Sequence, residues 1–142
     1  MELNQFTDYA LRTLIFAALK GEERASIHEI ADSFSISENH LVKVVHKLSQ
    51  LGYLKTFRGR AGGLILGKPA DKIGVGEIVR ALEPLSLVEC MSPAKGNCRI
   101  AGICNLQSLL HRANDAFLTE LDSMTVADLV TNRKELISRM GI

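Results

Sequence analysis

A chain of 142 residues has room for about one domain, and its formal net charge is only +1. Hydrophobic residues make up 46% of it and charged residues 23%, which is typical of a soluble globular protein and argues against a disordered chain. The longest wholly apolar run, residues 14 to 19, is far too short to cross a bilayer, and no signal peptide is visible. We therefore expect a cytoplasmic protein with no membrane partner.

The N-terminal part of the sequence predicts three helices. Apolar residues at helical spacing favour a first helix that ends near Gly21. Ser26 and Glu29 fit a capping box at the start of a short second helix. Ser37 can cap a third helix, which ends at Gly52. Two short helices joined by a tight turn, the second carrying polar and basic residues, predict a helix-turn-helix.

A hairpin is predicted directly after the third helix. Two strand-like runs, residues 53 to 57 and 64 to 66, enclose a turn that holds three glycines together with Arg58 and Arg60. Glycine permits positive φ and close backbone approach, while arginines at a tip can grip phosphates or enter a narrow minor groove. The hairpin is therefore predicted to be the wing of a DNA-binding module.

Charge is distributed unevenly along the chain. Residues 40 to 72 carry seven lysines or arginines and one acid, whereas residues 105 to 130 carry one arginine and four acids. Such a basic stretch is the expected footprint of phosphate contact, the alternative being a merely solvated face. Asparagine can read adenine, and lysine can contact guanine or phosphate. The predicted DNA-binding residues are Ser37, Glu38, Asn39, His40, Lys43, Lys47, Arg58, Arg60, Gly62 and Gly63.

The C-terminal half is predicted to be helical around one irregular loop. A short fourth helix over residues 75 to 82 is followed by a loop over residues 85 to 103. A long amphipathic helix from Cys104 is suited to pairing with a second copy of itself, and a capping box at residues 125 to 128 predicts a last helix towards Met140. The predicted fold is mainly α: a winged helix-turn-helix with a two-stranded wing, plus a long C-terminal dimerisation helix. The predicted divisions are residues 1–72 for DNA binding, 73–104 for a short helix and cysteine-bearing loop, and 105–142 for dimerisation.

The only cysteines are Cys90 and Cys98, in the predicted loop, and Cys104, where the predicted long helix begins. An odd number of thiols in a cytoplasmic protein favours metal or redox chemistry over a disulfide framework. Zinc sites usually show closely spaced cysteine pairs, which are missing from this sequence, whereas soft thiolates in a loop suit an iron–sulfur cluster. Three inert thiols and a metal-free thiol redox sensor are the alternatives. Asp8 and Arg12, one helical turn apart, by themselves favour a solvent-facing ion pair.

Several segments together resemble the iron–sulfur-cluster winged-helix repressors of the IscR-like superfamily, in particular the NsrR branch, whose members sense nitric oxide. The resemblance covers essentially the whole chain, with the segments in the right order. They are residues 6–12, 39–43, 58–63, 66–70, 82–90 and 117–122.

The resemblance implies a homodimer with an iron–sulfur cluster, [4Fe–4S] preferred and [2Fe–2S] possible. Its metal ligands would be Cys90, Cys98 and Cys104, with Asp8 of the partner subunit as the fourth and Arg12 nearby. In the IscR-type branch a histidine stands three residues after the last cysteine, but this chain has Gln107 there, which favours the nitric-oxide branch. The seven residues between Cys90 and Cys98 exceed the family's usual five, which is a departure in the cluster loop.

The function implied is a repressor that binds an inverted-repeat operator on double-stranded DNA and is released when nitric oxide attacks the cluster, so that nitric oxide detoxification genes are expressed. An IscR-type regulator of iron–sulfur or redox status and a metal-free thiol sensor remain alternatives. An enzyme is not expected, because the sequence contains no phosphate-cradling loop, no HExxH motif and no Ser-His-Asp order.

Overall fold

The computed structural model describes residues 2–92 and 98–142. These residues form a mainly helical winged-helix fold, which confirms the predicted fold class. The two antiparallel strands pair in register from Leu54 opposite Leu66 to Phe57 opposite Gly63. The helices and strands are α1 (Gln5–Lys20), α2 (Ile27–Phe34), α3 (Glu38–Gln50), β1 (Leu54–Phe57), β2 (Gly63–Leu66), α4 (Val75–Leu82), α5 (Asn105–Asp122) and α6 (Arg133–Met140).

The core is built around α1, which packs against α3, β2 and α4. Leu14 and Phe16 of α1, Ile30 of α2 and Leu41 of α3 have no exposed surface. The ring of Phe16 meets Phe34 edge-on, with centroids 6.3 Å apart. Burying side chains of this size contributes about 1.5–3 kcal/mol each relative to exposure, so this cluster fixes the three-helix framework.

Short-range capping signals set the helix starts, as predicted. The Ser26 hydroxyl accepts from the Glu29 amide at 3.1 Å, while the Glu29 carboxylate accepts from the Ser26 amide at 2.7 Å. The Ser37 hydroxyl accepts from the His40 amide at 3.3 Å. The predicted capping box and the Ser37 cap are therefore confirmed.

The predicted last helix is wrong in its start. Asp128 accepts from the Thr125 amide as a capping box requires, but only a 3₁₀ turn follows, Asp128–Val130. The Thr131 hydroxyl donates to the Asp128 carbonyl at 3.2 Å. The backbone then leaves the helical region at Asn132, where ψ is 40°, and the chain restarts as α6 at Arg133.

The predicted loop over residues 85 to 103 contains a 3₁₀ turn, Glu89–Met91, and its residues 93–97 lie outside the described part of the chain. The long helix begins at Asn105, one residue later than predicted, with Cys104 at its N-cap position. No helix within the described ranges is both long and apolar enough to span a membrane.

Candidate functional site

Helix α3 turns its polar side to solvent. Its buried residues include Leu41, Val44 and Leu48, which recur at helical spacing and face the core. The exposed residues of α3 are therefore gathered on the opposite face, where a DNA major groove could receive them. The predicted contacts exposed there are Glu38, Asn39, His40, Lys43 and Lys47.

Val42 lies on the same exposed face, although the sequence analysis did not name it among the DNA-binding residues. Its side chain is 52% exposed. The signal that could have found it is helical phase, since Leu41 and Val44 already account for the buried side. An exposed aliphatic group on such a helix can contact the methyl group of thymine.

Glu38, the first residue of α3, is engaged by a histidine of α2. His28 Nδ1 lies 2.8 Å from Glu38 Oε1, and His28 Nε2 lies 3.4 Å from Asp32 Oδ2. The hydrogen bond with Glu38 and then the negative charge of Asp32 raise the pKa of His28. When protonated, His28 offsets one of the two carboxylate charges beside the predicted DNA face.

The wing carries Arg58 and Arg60 exposed at its tip. A Cβ on Gly62 would lie 2.7 Å from the Gly59 carbonyl oxygen and 2.8 Å from that of Phe57. Gly59 has a φ of 92°, a conformation that glycine adopts without strain. The backbone of the tight turn therefore requires glycine at positions 59 and 62, whether or not DNA approaches the tip.

The base of the wing is fixed to α4. The Tyr53 hydroxyl donates to Glu77 Oε1 at 2.5 Å, and the Lys68 ammonium lies 4.7 Å from the Tyr53 ring centroid and 3.8 Å from the same carboxylate oxygen. Burial, followed by the hydrogen bond with Glu77, raises the pKa of Tyr53 to about 12. Tyr53 therefore keeps its proton at physiological pH and remains a hydrogen-bond donor.

The three cysteines are free thiols, of which Cys90 and Cys104 are half-buried and Cys98 is exposed. Cys90 lies in the 3₁₀ turn before the segment outside the described residues, and Cys104 is the N-cap residue of α5. Within residues 2–92 and 98–142, no group of three or more His, Cys, Asp or Glu side chains is placed to hold a metal ion. The predicted ligand set, which includes a residue of a second subunit, stays a prediction.

Two amides of α5 hold the segment that leads to Cys90. Asn114 Nδ2 donates to the Leu85 carbonyl at 3.2 Å, and Gln107 Nε2 donates to the Cys90 carbonyl at 3.4 Å. Seven residues apart, the two amides lie on one face of the helix. Gln107 Oε1 also accepts from the Gly102 amide at 3.4 Å, so one side chain bridges the two ends of the cysteine segment.

Asp8 and Arg12 form the ion pair that their spacing predicted. Arg12 Nη2 lies 2.8 Å from Asp8 Oδ2, and Arg12 Nε lies 3.0 Å from Asp8 Oδ1. The two side chains are 41% and 42% exposed, so a second subunit could reach both. In the single chain Asp8 is not brought near the cysteines as part of a metal-binding group among the described residues.

Helix α5 leaves an apolar face uncovered. Of its 18 residues only Leu118 is buried, whereas Leu106 is 59% and Leu109 is 52% exposed. Its C-terminal end is attached to the fold, because Arg80 of α4 makes a two-pronged ion pair with Asp122 at 2.5 and 2.6 Å. Large apolar side chains exposed along one helix are typical of a surface that another chain covers.

Comparison with known proteins identifies a family to which the chain is similar. Residues 3–132 match the Rrf2 family, which is described as iron-dependent transcriptional regulators. CymR (YrzC), the global cysteine regulator of B. subtilis, is 32% identical over 93% of this chain and 98% of its own, with a TM-score of 0.72. The oxidized form of Staphylococcus aureus CymR is 29% identical over 92% of this chain and 97% of its own, with a TM-score of 0.73. IscR of T. potens is 24% identical over 95% of this chain and 90% of its own, with a TM-score of 0.76, which shows a shared fold.

Proposed function

Because the chain belongs to the Rrf2 family of transcriptional regulators, we propose that it is a homodimeric DNA-binding repressor that senses nitric oxide through an iron–sulfur cluster. One observation carries this proposal. Three free thiols lie between the winged helix-turn-helix and the exposed apolar face of α5, where a bound group can link the DNA-binding part to the dimer.

The donor set suits iron more than zinc. Thiolates of Cys90, Cys98 and Cys104 are soft ligands, and a carboxylate from Asp8 of the partner subunit would be a harder and weaker fourth donor. A [4Fe–4S] cluster is preferred, with [2Fe–2S] as the alternative. When bound, the cluster would supply iron that nitric oxide can attack.

The protein's own residues would turn loss of that fourth contact into a change in the dimer. Arg12 gives the Asp8 carboxylate an alternative partner within its own chain, as the ion pair at 2.8 Å demonstrates. Asp8 also lies on α1, the helix that packs against α3. Release of the Asp8 tether would therefore free one subunit's reading helix from the other subunit's cysteine segment.

DNA recognition would require the two α3 helices to stand at a fixed separation, since half-sites of an inverted repeat lie about one or more helical turns apart. The apolar face of α5 is the surface we propose for the dimer contact. Changing operator occupancy from nearly all to nearly none needs roughly 5 kcal/mol of differential affinity. The two symmetric tethers of the dimer, one at each cluster, would each contribute part of this free-energy difference.

A second candidate is a metal-free thiol redox regulator. The observation that favours it is the similarity to CymR, which in B. subtilis is a global cysteine regulator and in S. aureus has an oxidized form. In that case two of the three thiols would be oxidised reversibly to a disulfide by a cellular two-electron oxidant, and the protein would hold no iron. An IscR-type regulator of iron–sulfur status is compatible with the same cluster.

The experiment that separates these candidates is an absorption spectrum of protein purified without oxygen, before and after nitric oxide, with a gel shift on DNA alongside. We expect a coloured protein that contains iron and sulfide, and whose colour and DNA complex are both lost on treatment. A colourless protein that forms a reversible disulfide would favour the thiol regulator. Colour with a DNA complex insensitive to nitric oxide would favour the IscR type.

Replacing Asp8 with alanine tests the inter-subunit ligand. We expect the Asp8→Ala dimer to lose its cluster faster and to release DNA at lower nitric oxide, because one of four donors is missing. The matched control is Arg12→Ala, which breaks the same ion pair but removes no donor. The measurement is the rate of cluster loss followed by absorbance. Equal rates in the two variants would return Asp8 to the role of an ion-pair partner.

A further inference from the structure

Arg24 lies in the connection between α1 and α2, outside the basic stretch of residues 40 to 72, and none of the proposed DNA contacts includes it. Its guanidinium carbon is 3.9 Å from the ring centroid of Phe57, the last residue of β1. The same guanidinium donates through Nη1 to the carbonyl of Ala61 in the wing tip. One side chain thus contacts both the end of a wing strand and the turn that carries the arginines.

The neighbouring backbone shows why Arg24 reaches the wing. Ala25 and Leu64 exchange two backbone hydrogen bonds of 2.9 and 2.8 Å, so the connection lies along the outer edge of β2. At Gly63 a Cβ would lie 2.8 Å from the Ala25 carbonyl oxygen and 3.0 Å from the Arg24 Cβ, and its φ is 142°. Only glycine at position 63 allows the backbone of Arg24 and Ala25 to come this close to the wing.

Electrostatics argue that Arg24 is held for its contacts. It contacts the wing that carries Arg58 and Arg60, and among the described residues it makes no ion pair with a carboxylate. An aromatic face and a carbonyl oxygen are the groups that can hold a guanidinium in such a place. A two-stranded hairpin is at best marginally stable alone, so it needs an outside contact to hold its tip still.

We propose that Arg24 is a positioning residue for DNA recognition: it fixes the wing tip so that Arg60 is presented to the operator. The proposal rests on the proposed DNA-binding function. The Ala61 carbonyl belongs to the peptide between Ala61 and Gly62, one residue beyond Arg60, so a bond to it restrains the turn in which Arg60 lies. The ring and the carbonyl hold the guanidinium of Arg24 against the wing, so its effect on DNA is expected to pass through the wing.

The test is a double-mutant cycle on the full-length dimer purified without oxygen, with a duplex that the wild-type protein selects from a randomised pool as the probe. We expect Arg24→Met to weaken binding about tenfold in the wild-type background, and less than about twofold when Arg60→Ala is already present. Arg24→Lys, which keeps the charge and can still meet the ring and the carbonyl, should recover most of the affinity. Arg139→Met, which removes an exposed charge from α6, is the control and should leave binding unchanged.

Two outcomes would overturn the proposal. The first is additive losses in the double variant, with a salt dependence reduced by about one phosphate contact in Arg24→Met, which would make Arg24 a direct DNA contact.

The second outcome is measured by proteolysis and needs no DNA. Trypsin should cut after Arg58 and Arg60 several-fold faster in Arg24→Met than in Arg139→Met. An unchanged rate would contradict the wing contact. If the wild-type protein selects no duplex, the DNA-binding function fails, while the trypsin result still decides whether Arg24 holds the wing.

Discussion

Replacing Cys104 with serine is expected to abolish the bound iron–sulfur cluster and, with it, cluster-dependent operator binding. A serine hydroxyl stays protonated near neutral pH, so it is a far poorer ligand for iron than a thiolate. Cys104 occupies the N-cap position of α5, where no side-chain capping bond is formed. Serine is among the preferred N-cap residues, so this variant should keep or gain helix stability while it loses the ligand.

The measurements are iron and sulfide content, the absorption spectrum and a gel shift, all without oxygen. Cys90→Ser and Cys98→Ser should give the same loss, because the proposal assigns one ligand to each thiol. Ser92→Ala, in the same segment but without a donor role, is the matched control and should keep its colour. If Cys98→Ser retained the full cluster, Cys98 would not be a ligand. The unusual seven-residue spacing between Cys90 and Cys98 would then have no bearing on the cluster.

The sequence predicted the winged helix-turn-helix well because its signals are local. Ser26 with Glu29 and Ser37 mark helix starts through bonds within three residues, and the glycines mark the tip of the hairpin. The start of α6 was missed because the backbone leaves the helical region at Asn132, where ψ is 40°, and no motif in the sequence marks that position. A capping box shows where a helical turn can begin, but it does not determine how far the helix continues.

The candidate site could be predicted only in part, because much of it depends on contacts between distant segments. The polar side of α3 follows from helical period, and so does the exposure of Val42 once the buried residues are known. By contrast, the contact of Arg24 with Ala61 joins residues 37 positions apart. The hydrogen bond from Asn114 to the Leu85 carbonyl joins residues 29 positions apart, and no sequence motif predicts it.

Replacing Gly67 with alanine is expected to destabilise the protein by about 1–3 kcal/mol, as forced overpacking does. A Cβ at this position would lie 2.5 Å from the Gly52 carbonyl oxygen and 3.3 Å from the Leu54 carbonyl carbon. Both are backbone atoms at the junction of α3 and β1, and Gly67 also donates to the Tyr53 carbonyl at 2.8 Å. The strain can be relieved only by moving the base of the wing, so operator affinity should fall together with the free energy of unfolding, measured by denaturant titration.

Two other glycines make this prediction discriminating. A Cβ on Gly76 would come even closer to a neighbour, but that neighbour is the Asp122 carboxylate, which can swing towards solvent and give up its exposed ion pair with Arg80. Gly74→Ala meets nothing nearer than 3.7 Å and should cost least. The expected order of destabilisation is therefore Gly67, then Gly76, then Gly74, because the cost depends on whether the obstructing atom can move. If Gly76→Ala proved the most damaging, the Arg80–Asp122 pair between α4 and α5 would be a rigid structural joint whose loss the fold does not tolerate.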